Sequence, residues 1–187
     1  MVSKVPFSQE IGHLMFAVGG NPIDQCIQCG TCAGVCPSAP FMQHSPRQII
    51  DLIRAGLRKE VLSSNTFWYC ASCYQCTVRC PQGIQITDMM YALKRYTMWR
   101  SQHAEDLIGP DFCRSFVTQI LKTGRSFEPA MAPVYMFKLG LGGFVREGLM
   151  GTSLFFKGRM SLIPKKIKRI DNFRRMIAKI VPMEGIV

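Results

Sequence analysis

The sequence predicts an all-α fold, and three observations support this prediction. Apolar residues recur at helical spacing in four segments of the 187-residue chain. Alternating runs typical of strands are few, and the hairpin dipeptides Asn-Gly and Asp-Gly do not occur. A helical pattern also fills the gap of 34 positions between Cys36 and Cys70. We therefore expect helices joined by loops that contain cysteine.

In the first half of the chain, helix starts are indicated by capping residues. Ser8 can cap a short helix that Gly19-Gly20 ends, Ser45-Pro46 begins a second helix, and Thr87-Asp88 opens a third. Gly109-Pro110 ends or follows the third helix. The apolar residues that form the three stripes are Ile11, Leu14, Met15, Val18, Ile49, Ile50, Ile53, Leu57, Met89, Met90, Leu93 and Tyr96.

The second half is basic and contains no ligand motif. Residues 101–187 contain 14 Lys and Arg against 7 Asp and Glu. The segment "MFKLGLGGFVREGLMGTSLFFKGRM" is rich in Gly, Phe and Met, which is typical of an extension laid across a partner protein. Pro164 is expected to begin a final amphipathic helix, packed on this chain or a partner, or lying on a membrane surface. Its apolar side is formed by Ile167, Ile170, Phe173, Ile177 and Ile180.

Eight of the nine cysteines lie in two runs of one spacing, "CIQCGTCAGVCP" and "CASCYQCTVRCP". Each run has gaps of two, two and three residues and then a proline, which matches the bacterial ferredoxin ligand run for 4Fe-4S clusters. Zinc ribbons use two Cys-x-x-Cys pairs instead. The clustering, the odd count and the lack of a secretory leader in "MVSKVPFSQE" oppose a secreted disulfide scaffold.

The spacing also predicts which cysteines share a cluster. Three cysteines on a tight loop cover one face of the cluster, and in two-cluster ferredoxins the fourth cysteine of each run binds the other cluster. Pro37 and Pro81 then turn the chain away, and Gly30 allows a close backbone approach. Cluster one is thus expected to bind Cys26, Cys29, Cys32 and Cys80, and cluster two to bind Cys70, Cys73, Cys76 and Cys36.

The remaining chemistry-bearing residues do not form a catalytic pattern. Cys113 is interpreted as a small buried hydrophobe, and His13, His44 and His103 as structural or exposed. "GLGGFV" lacks the spacing of a dinucleotide-binding loop, and no nucleophile–base set is visible. Four cysteine ligands per cluster would saturate its irons, so we expect no catalytic residue and only one-electron transfer.

The sequence resembles the C subunits of the methanogen heterodisulfide reductases. "CIQCGTCAGVCP", "SPRQII" and "WYCASCYQCTVRCP" carry this resemblance. In wider terms it resembles the helical ferredoxin domains of succinate dehydrogenase iron–sulfur subunits and of the C subunits of glycerol-3-phosphate dehydrogenases. The resemblance implies two 4Fe-4S clusters on the eight matching cysteines. It also implies a relay from a flavin- and iron–sulfur-containing A subunit to a catalytic B subunit, which reduces the coenzyme M–coenzyme B disulfide of methanogenesis. The resemblance further implies a hydrogenase or formate dehydrogenase module as an additional partner.

We therefore expect an α-helical ferredoxin domain over residues 1–105 and a partly helical extension for partner docking over 106–187. No window approaches 18 uncharged apolar residues, so no membrane span is expected and the protein is interpreted as cytoplasmic. No nucleic-acid-binding motif accompanies the formal charge of +11, which suits an acidic protein partner better. The alternative is an iron–sulfur subunit of a membrane-associated, quinone-linked dehydrogenase, or a free ferredoxin-like carrier.

Overall fold

The computed structural model describes residues 6–15, 22–100, 108–127, 129, 145, 148–149, 151–158 and 163–183. All regular structure within these residues is helical, which confirms the predicted fold class. The chain forms two compact units, Met1–Glu105 and Asp106–Val187. No helix of the described ranges is both long and apolar enough to cross a bilayer.

The first unit contains six α-helices and two 3₁₀ turns in its described part. The helices are α1 (Phe7–Leu14), α2 (Thr31–Gly34), α3 (Pro46–Arg54), α4 (Arg58–Ser63), α5 (Gln75–Val78) and α6 (Ile86–Arg100), and the turns are Pro22–Gln25 and Ala39–Phe41. Helix α1 packs on α6 and α3, α3 packs on α4 and α2, and α2 packs on α5. The two short cysteine-bearing helices are therefore held together on a frame of longer helices.

Helix α1 begins earlier than the sequence predicted. Pro6 occupies the N-cap, where its carbonyl accepts hydrogen bonds from the amides of Gln9 and Glu10. Ser8, the predicted cap, is instead buried in the first turn and makes no capping hydrogen bond, so that prediction was wrong. The physical reason is that Phe7, which is 5% exposed, already belongs to the core. The predicted stop at Gly19-Gly20, and Val18, lie outside the described residues.

The start of α3 confirms the prediction at Ser45-Pro46. The Ser45 side chain accepts a hydrogen bond from the Gln48 amide, and the Gln48 side chain accepts one from the Ser45 amide, which completes a capping box. Of the predicted stripe, Ile49, Ile50 and Ile53 are buried. Leu57 is not part of it, because Gly56 has a φ of 73° that ends the helix and leaves Leu57 exposed.

Helix α6 provides the longest side of the first unit's core. It begins at Ile86, one residue before the predicted Thr87-Asp88 start. The predicted apolar face is confirmed, since Met89, Met90, Leu93 and Tyr96 are all buried. Phe67, in the irregular segment between α4 and α5, is also fully buried, and no periodic pattern indicated it.

The second unit contains two long helices in its described part, α7 (Ile108–Thr123) and α8 (Ile170–Met183). The prediction missed α7, and Gly109-Pro110 lie in its first turn, where proline is tolerated. The predicted helix start at Pro164 was wrong, because residues 164–167 are not helical. The Ile167 amide donates instead to the Thr123 carbonyl, and its side chain packs over Gly124, where an added Cβ would come within 2.5 Å of it.

Candidate metal centre

The two cysteine runs fold in the same way. Equivalent cysteines are separated by 44 positions, and Cys32 and Cys76 lie on the short helices α2 and α5. Each run has two residues with positive φ at equivalent places: Gln28 (58°) and Gly30 (83°) in the first run, Ser72 (56°) and Tyr74 (61°) in the second. A left-handed residue between cysteines turns the chain so that successive thiols can face one volume. The repeat in the sequence is therefore a repeat in backbone conformation.

Each run bounds its own cavity. The two cavities are similar in size. The cysteines that line the first are Cys26, Cys29, Cys32 and Cys80. The cysteines that line the second are Cys36, Cys70, Cys73 and Cys76. The structure thus brings together three cysteines of one run with the last cysteine of the other, twice.

The last cysteine of each run reaches the opposite cavity because α2 packs on α5. Cys36 lies just after α2, and its amide donates to the Ala33 carbonyl at 3.4 Å. Cys80 lies just after α5, and its amide donates to the Thr77 carbonyl at 3.3 Å. Pro37 lines the second cavity beside Cys36, and Pro81 lines the first beside Cys80.

The thiols differ in how readily they ionise. Burial, followed by the neighbouring Cys26 and Cys76 thiols, raises the pKa of Cys32 to about 11. Burial also raises the pKa of Cys36. A hydrogen bond with the Thr31 side chain lowers the pKa of the exposed Cys29. Because metals bind the thiolate, a cation entering the first cavity must displace a strongly held proton from Cys32.

Three side chains outside the cysteine pattern contact the sulfurs. Gln28 Nε2 donates to Cys26 Sγ at 3.6 Å. Thr31 Oγ1 lies 3.4 Å from Cys29 Sγ, and Thr87 Oγ1 lies 3.6 Å from Cys76 Sγ. Such contacts orient metal ligands and adjust the electron density on sulfur. Sequence reasoning missed all three residues, because a glutamine or threonine near a cysteine is no signal in itself.

The donor set suits a polynuclear centre. Thiolates are soft ligands, typical of zinc and of iron–sulfur clusters. Among the described residues, no three His, Cys, Asp or Glu side chains are arranged to hold a single metal ion. Each set of four thiols surrounds an open cavity instead. A cluster whose four ligands attach to four separate irons fits such an arrangement, whereas a zinc ion needs all four sulfurs about 2.3 Å from one point.

Among the described residues, His13, His44 and Cys113 are not in the lining of either cavity. His13 is in the last turn of α1, and the His44 backbone pairs with the Thr66 hydroxyl at 3.0 and 2.9 Å. Cys113 is half-buried on α7, in the second unit. His103 lies outside the described residues.

Comparison with known proteins gives a specific match at these cavities. A family model described as a 4Fe-4S dicluster domain matches residues 22–84, which contain all eight cysteines of the two runs. The matched residues make up about a third of the chain, and both cavities are lined mainly by them.

Relatives of known name align with about half of the chain. This chain is 38% identical over 90 residues to the C subunit of the H(2):CoB-CoM heterodisulfide,ferredoxin reductase of Methanothermobacter marburgensis. The alignment covers 48% of this chain and 49% of that protein. The chain is 41% identical over 88 residues to the C subunit of the Ferredoxin:CoB-CoM heterodisulfide reductase of Methanosarcina mazei, covering 47% and 53%. A protein of Archaeoglobus profundus that is named as similar to the heterodisulfide reductase C subunit is 31% identical over 93 residues, covering 49% and 50%. The chain thus spans about half the length of the relatives it matches.

Proposed function

We propose that this chain is the electron-transfer subunit of a heterodisulfide reductase complex. It relays single electrons from a flavin-containing A subunit to a catalytic B subunit, which reduces the coenzyme M–coenzyme B disulfide. The observation that carries the proposal is the pair of cavities, each lined by four cysteines. The similarity to heterodisulfide reductase C subunits supports the choice of complex, and the donor chemistry supports electron transfer.

In this proposal, each cavity holds one 4Fe-4S cluster, and ligation is crossed between the runs. Cluster one is bound by Cys26, Cys29, Cys32 and Cys80. Cluster two is bound by Cys70, Cys73, Cys76 and Cys36. When bound, each cluster supplies a one-electron redox centre.

The protein's own residues then act by holding and spacing the two centres. Helices α2 and α5 pack on each other, which keeps Cys76 near enough to contribute to the raised pKa of Cys32. Four thiolates per cluster leave no open iron position for a substrate, so this chain carries no catalytic residue of its own. Ile84 and Ile86 in the wall of the first cavity, and Met42 and Met90 in the wall of the second, limit the access of water.

Residues 106–187 are proposed to fasten the chain to its partners. Exposed apolar side chains in this part include Val117, Leu149, Phe156, Ile163 and Met176. Burying one such side chain fully against a partner is worth about 1.5–3 kcal/mol before ordering costs. The excess of Lys and Arg in the same part favours an acidic partner surface and would make association slower as salt rises.

Anaerobic metal analysis of the full chain tests the cluster assignment. Eight matched ligands, at four per cluster, predict about eight irons and eight acid-labile sulfides. The Cys113→Ala variant is the matched control and should retain the same content, because Cys113 lines neither cavity. Four irons, or stoichiometric zinc, would contradict the proposal.

Anaerobic co-purification tests the complex. Stoichiometric recovery with the flavin-containing and the catalytic partners is the expected result. A soluble monomer that carries both clusters and binds neither partner would favour a free ferredoxin-like carrier.

A further inference from the structure

The two cysteine runs share a backbone conformation, yet their surroundings differ in charge. The first cavity has an arginine, Arg47, in its wall. None of the described residues that line the second cavity carries a formal positive or negative side chain apart from its cysteines. The difference comes from α3, which contributes Arg47 to the first cavity and Pro46 to the second.

Arg47 reaches the first cluster site through a chain of hydrogen-bond donors. Its Nη1 donates to Gln28 Oε1 at 3.4 Å, and Gln28 Nε2 donates to Cys26 Sγ at 3.6 Å. Arg54 adds a second positive charge, since its Nη1 donates to the Cys26 carbonyl at 2.9 Å. A guanidinium that polarises the Gln28 amide makes that amide a better donor to sulfur.

The Arg47 side chain lies beside Gly30 in the first run. A Cβ at Gly30 would lie 3.8 Å from Arg47 Cδ, so the arginine side chain lies along the loop at van der Waals distance. The equivalent place in the second run is Tyr74, which keeps the left-handed conformation with a φ of 61°. The equivalent of Gln28 is Ser72, whose shorter side chain has no amide to donate.

The charges nearest the second cavity do not reproduce this arrangement. The Lys94 ammonium lies 5.6 Å from the centroid of the Tyr91 ring, and neither residue lines the cavity. The partner of the Cys76 sulfur is the neutral hydroxyl of Thr87.

The helix dipole does not reverse the asymmetry. The N-terminal turn of α3 contributes Arg47 to the first cavity and Pro46 to the second, so its partial positive charge of about half a unit acts on both. Arg47 adds a full charge to one side only. Arg47 therefore gives the wall of the first cavity a positive charge that the second lacks, Arg54 adds another at the Cys26 carbonyl, and Gln28 adds an amide donor to sulfur.

We propose that Arg47, acting with Gln28, makes cluster one the more easily reduced of the two clusters, so that an electron on the chain rests beside Cys26 rather than beside Cys70. Reduction adds one negative charge, and a nearby cation and sulfur-directed donors stabilise that added charge. The inference rests on the proposed function, because it requires a cluster in each cavity. Arg47 acts here as a positioning residue that sets the direction in which an electron moves within the chain.

Anaerobic redox titration of the full chain, followed by electron paramagnetic resonance, tests this inference. The signal of cluster one is identified as the one that Cys29→Ala removes, and the signal of cluster two as the one that Cys73→Ala removes. In the unsubstituted chain, cluster one should be reduced first. In Arg47→Gln, the equilibrium constant for one-electron reduction of cluster one should fall about tenfold or more, and tenfold corresponds to a reduction potential lower by about 59 mV. The reduction potential of cluster two should change much less.

Two further variants separate tuning from structural damage. Arg47→Lys keeps the charge and should recover most of the change. Lys59→Gln removes an equal charge from an exposed position on α4 and should leave both clusters unchanged. If Arg47→Gln retains eight irons and shifts neither cluster, or shifts both equally, the inference is wrong and the proposed function stands. If the unsubstituted chain lacks two clusters, the proposed function fails as well.

Discussion

Replacing Arg58 with leucine should loosen the frame that supports both cavities. Arg58 on α4 makes a two-point ion pair with Glu10 on α1, at 2.9 and 2.7 Å. The Tyr96 hydroxyl on α6 donates to the same carboxylate at 2.9 Å and also accepts a hydrogen bond from Arg58. The guanidinium lies 4.6 Å from the centroid of the Phe7 ring. One side chain thus joins three helices.

The size of the effect follows from the burial of the pair. The side chain of Arg58 is 34% exposed and that of Glu10 is 14% exposed. The pair therefore lies between an exposed ion pair, which is worth about 0–1 kcal/mol, and a fully buried one, whose disruption costs about 3–5 kcal/mol. We therefore expect Arg58→Leu to lower the free energy of unfolding by about 2 kcal/mol, because Glu10 loses its cationic partner and keeps the Tyr96 hydroxyl. For a unit of this size that is a fall in Tm of about 8–16 °C.

Thermal unfolding followed by circular dichroism, performed anaerobically at one scan rate, measures this change. Lys59→Leu is the matched control, since Lys59 is the next residue on α4 and is exposed. A double-mutant cycle with Glu10→Leu should give a coupling of about 1–2 kcal/mol. The reasoning is refuted if Arg58→Leu lowers Tm no more than Lys59→Leu, or if the cycle gives no coupling.

Three other perturbations have defined outcomes. Gly30→Ala should lower the free energy of unfolding in urea by about 1–2 kcal/mol, because Gly30 has a φ of 83°. Gly34→Ala lies in a helix with open space and should leave it unchanged or raise it by about 0.5–1 kcal/mol. Equal effects of the two variants would contradict this. In the metal-free chain, the raised pKa of Cys32 keeps its thiol protonated in the folded state at a pH where the same thiol ionises in the unfolded state. The free energy of unfolding should therefore fall as pH rises from 9.0 to about 11. Urea midpoints should show this fall, and Cys32→Ala should make it smaller, with the part due to the raised pKa of Cys36 remaining. A chain ending at Glu105 should retain both clusters and lose stable association with its partner subunits. Loss of the clusters would show that the domain boundary near residue 105 is wrong. Co-purification as tight as that of the full chain would show that residues 106–187 have no docking role.

The sequence was informative where one short pattern determines a conformation. The spacing of the eight cysteines predicted two ligand sets, and the same two groups of four cysteines line the two cavities. Their ligation of clusters stays a prediction. The Ser45-Pro46 start was also predicted, since the capping residue and Gln48 satisfy each other within one turn. The packing of α2 on α5, which places Cys36 and Cys80 in opposite cavities, was implied by crossed ligation but has no local signal of its own.

The sequence failed where tertiary packing competes with local preference. Ser8 has the chemistry of an N-cap, but burial of Phe7 moved the start of α1 to Pro6. Ile167 looked like a helical residue, but its amide pairs with the Thr123 carbonyl and its side chain covers Gly124. Arg47 could not be recognised from the sequence, because its effect depends on Gln28 lying between it and a sulfur.

The assignment of ligands to clusters can be tested directly by four single substitutions. Cys29→Ala and Cys73→Ala identify the spectroscopic signals of cluster one and cluster two, because each residue belongs to its own run's cavity. Paramagnetic resonance and Mössbauer spectra of anaerobically purified Cys36→Ala and Cys80→Ala then decide the crossing. Crossed ligation predicts that Cys36→Ala damages the cluster that Cys73→Ala damages, and that Cys80→Ala damages the cluster that Cys29→Ala damages. If instead Cys36→Ala damages the cluster that Cys29→Ala damages, and Cys80→Ala damages the cluster that Cys73→Ala damages, the crossed ligation of the two clusters is contradicted.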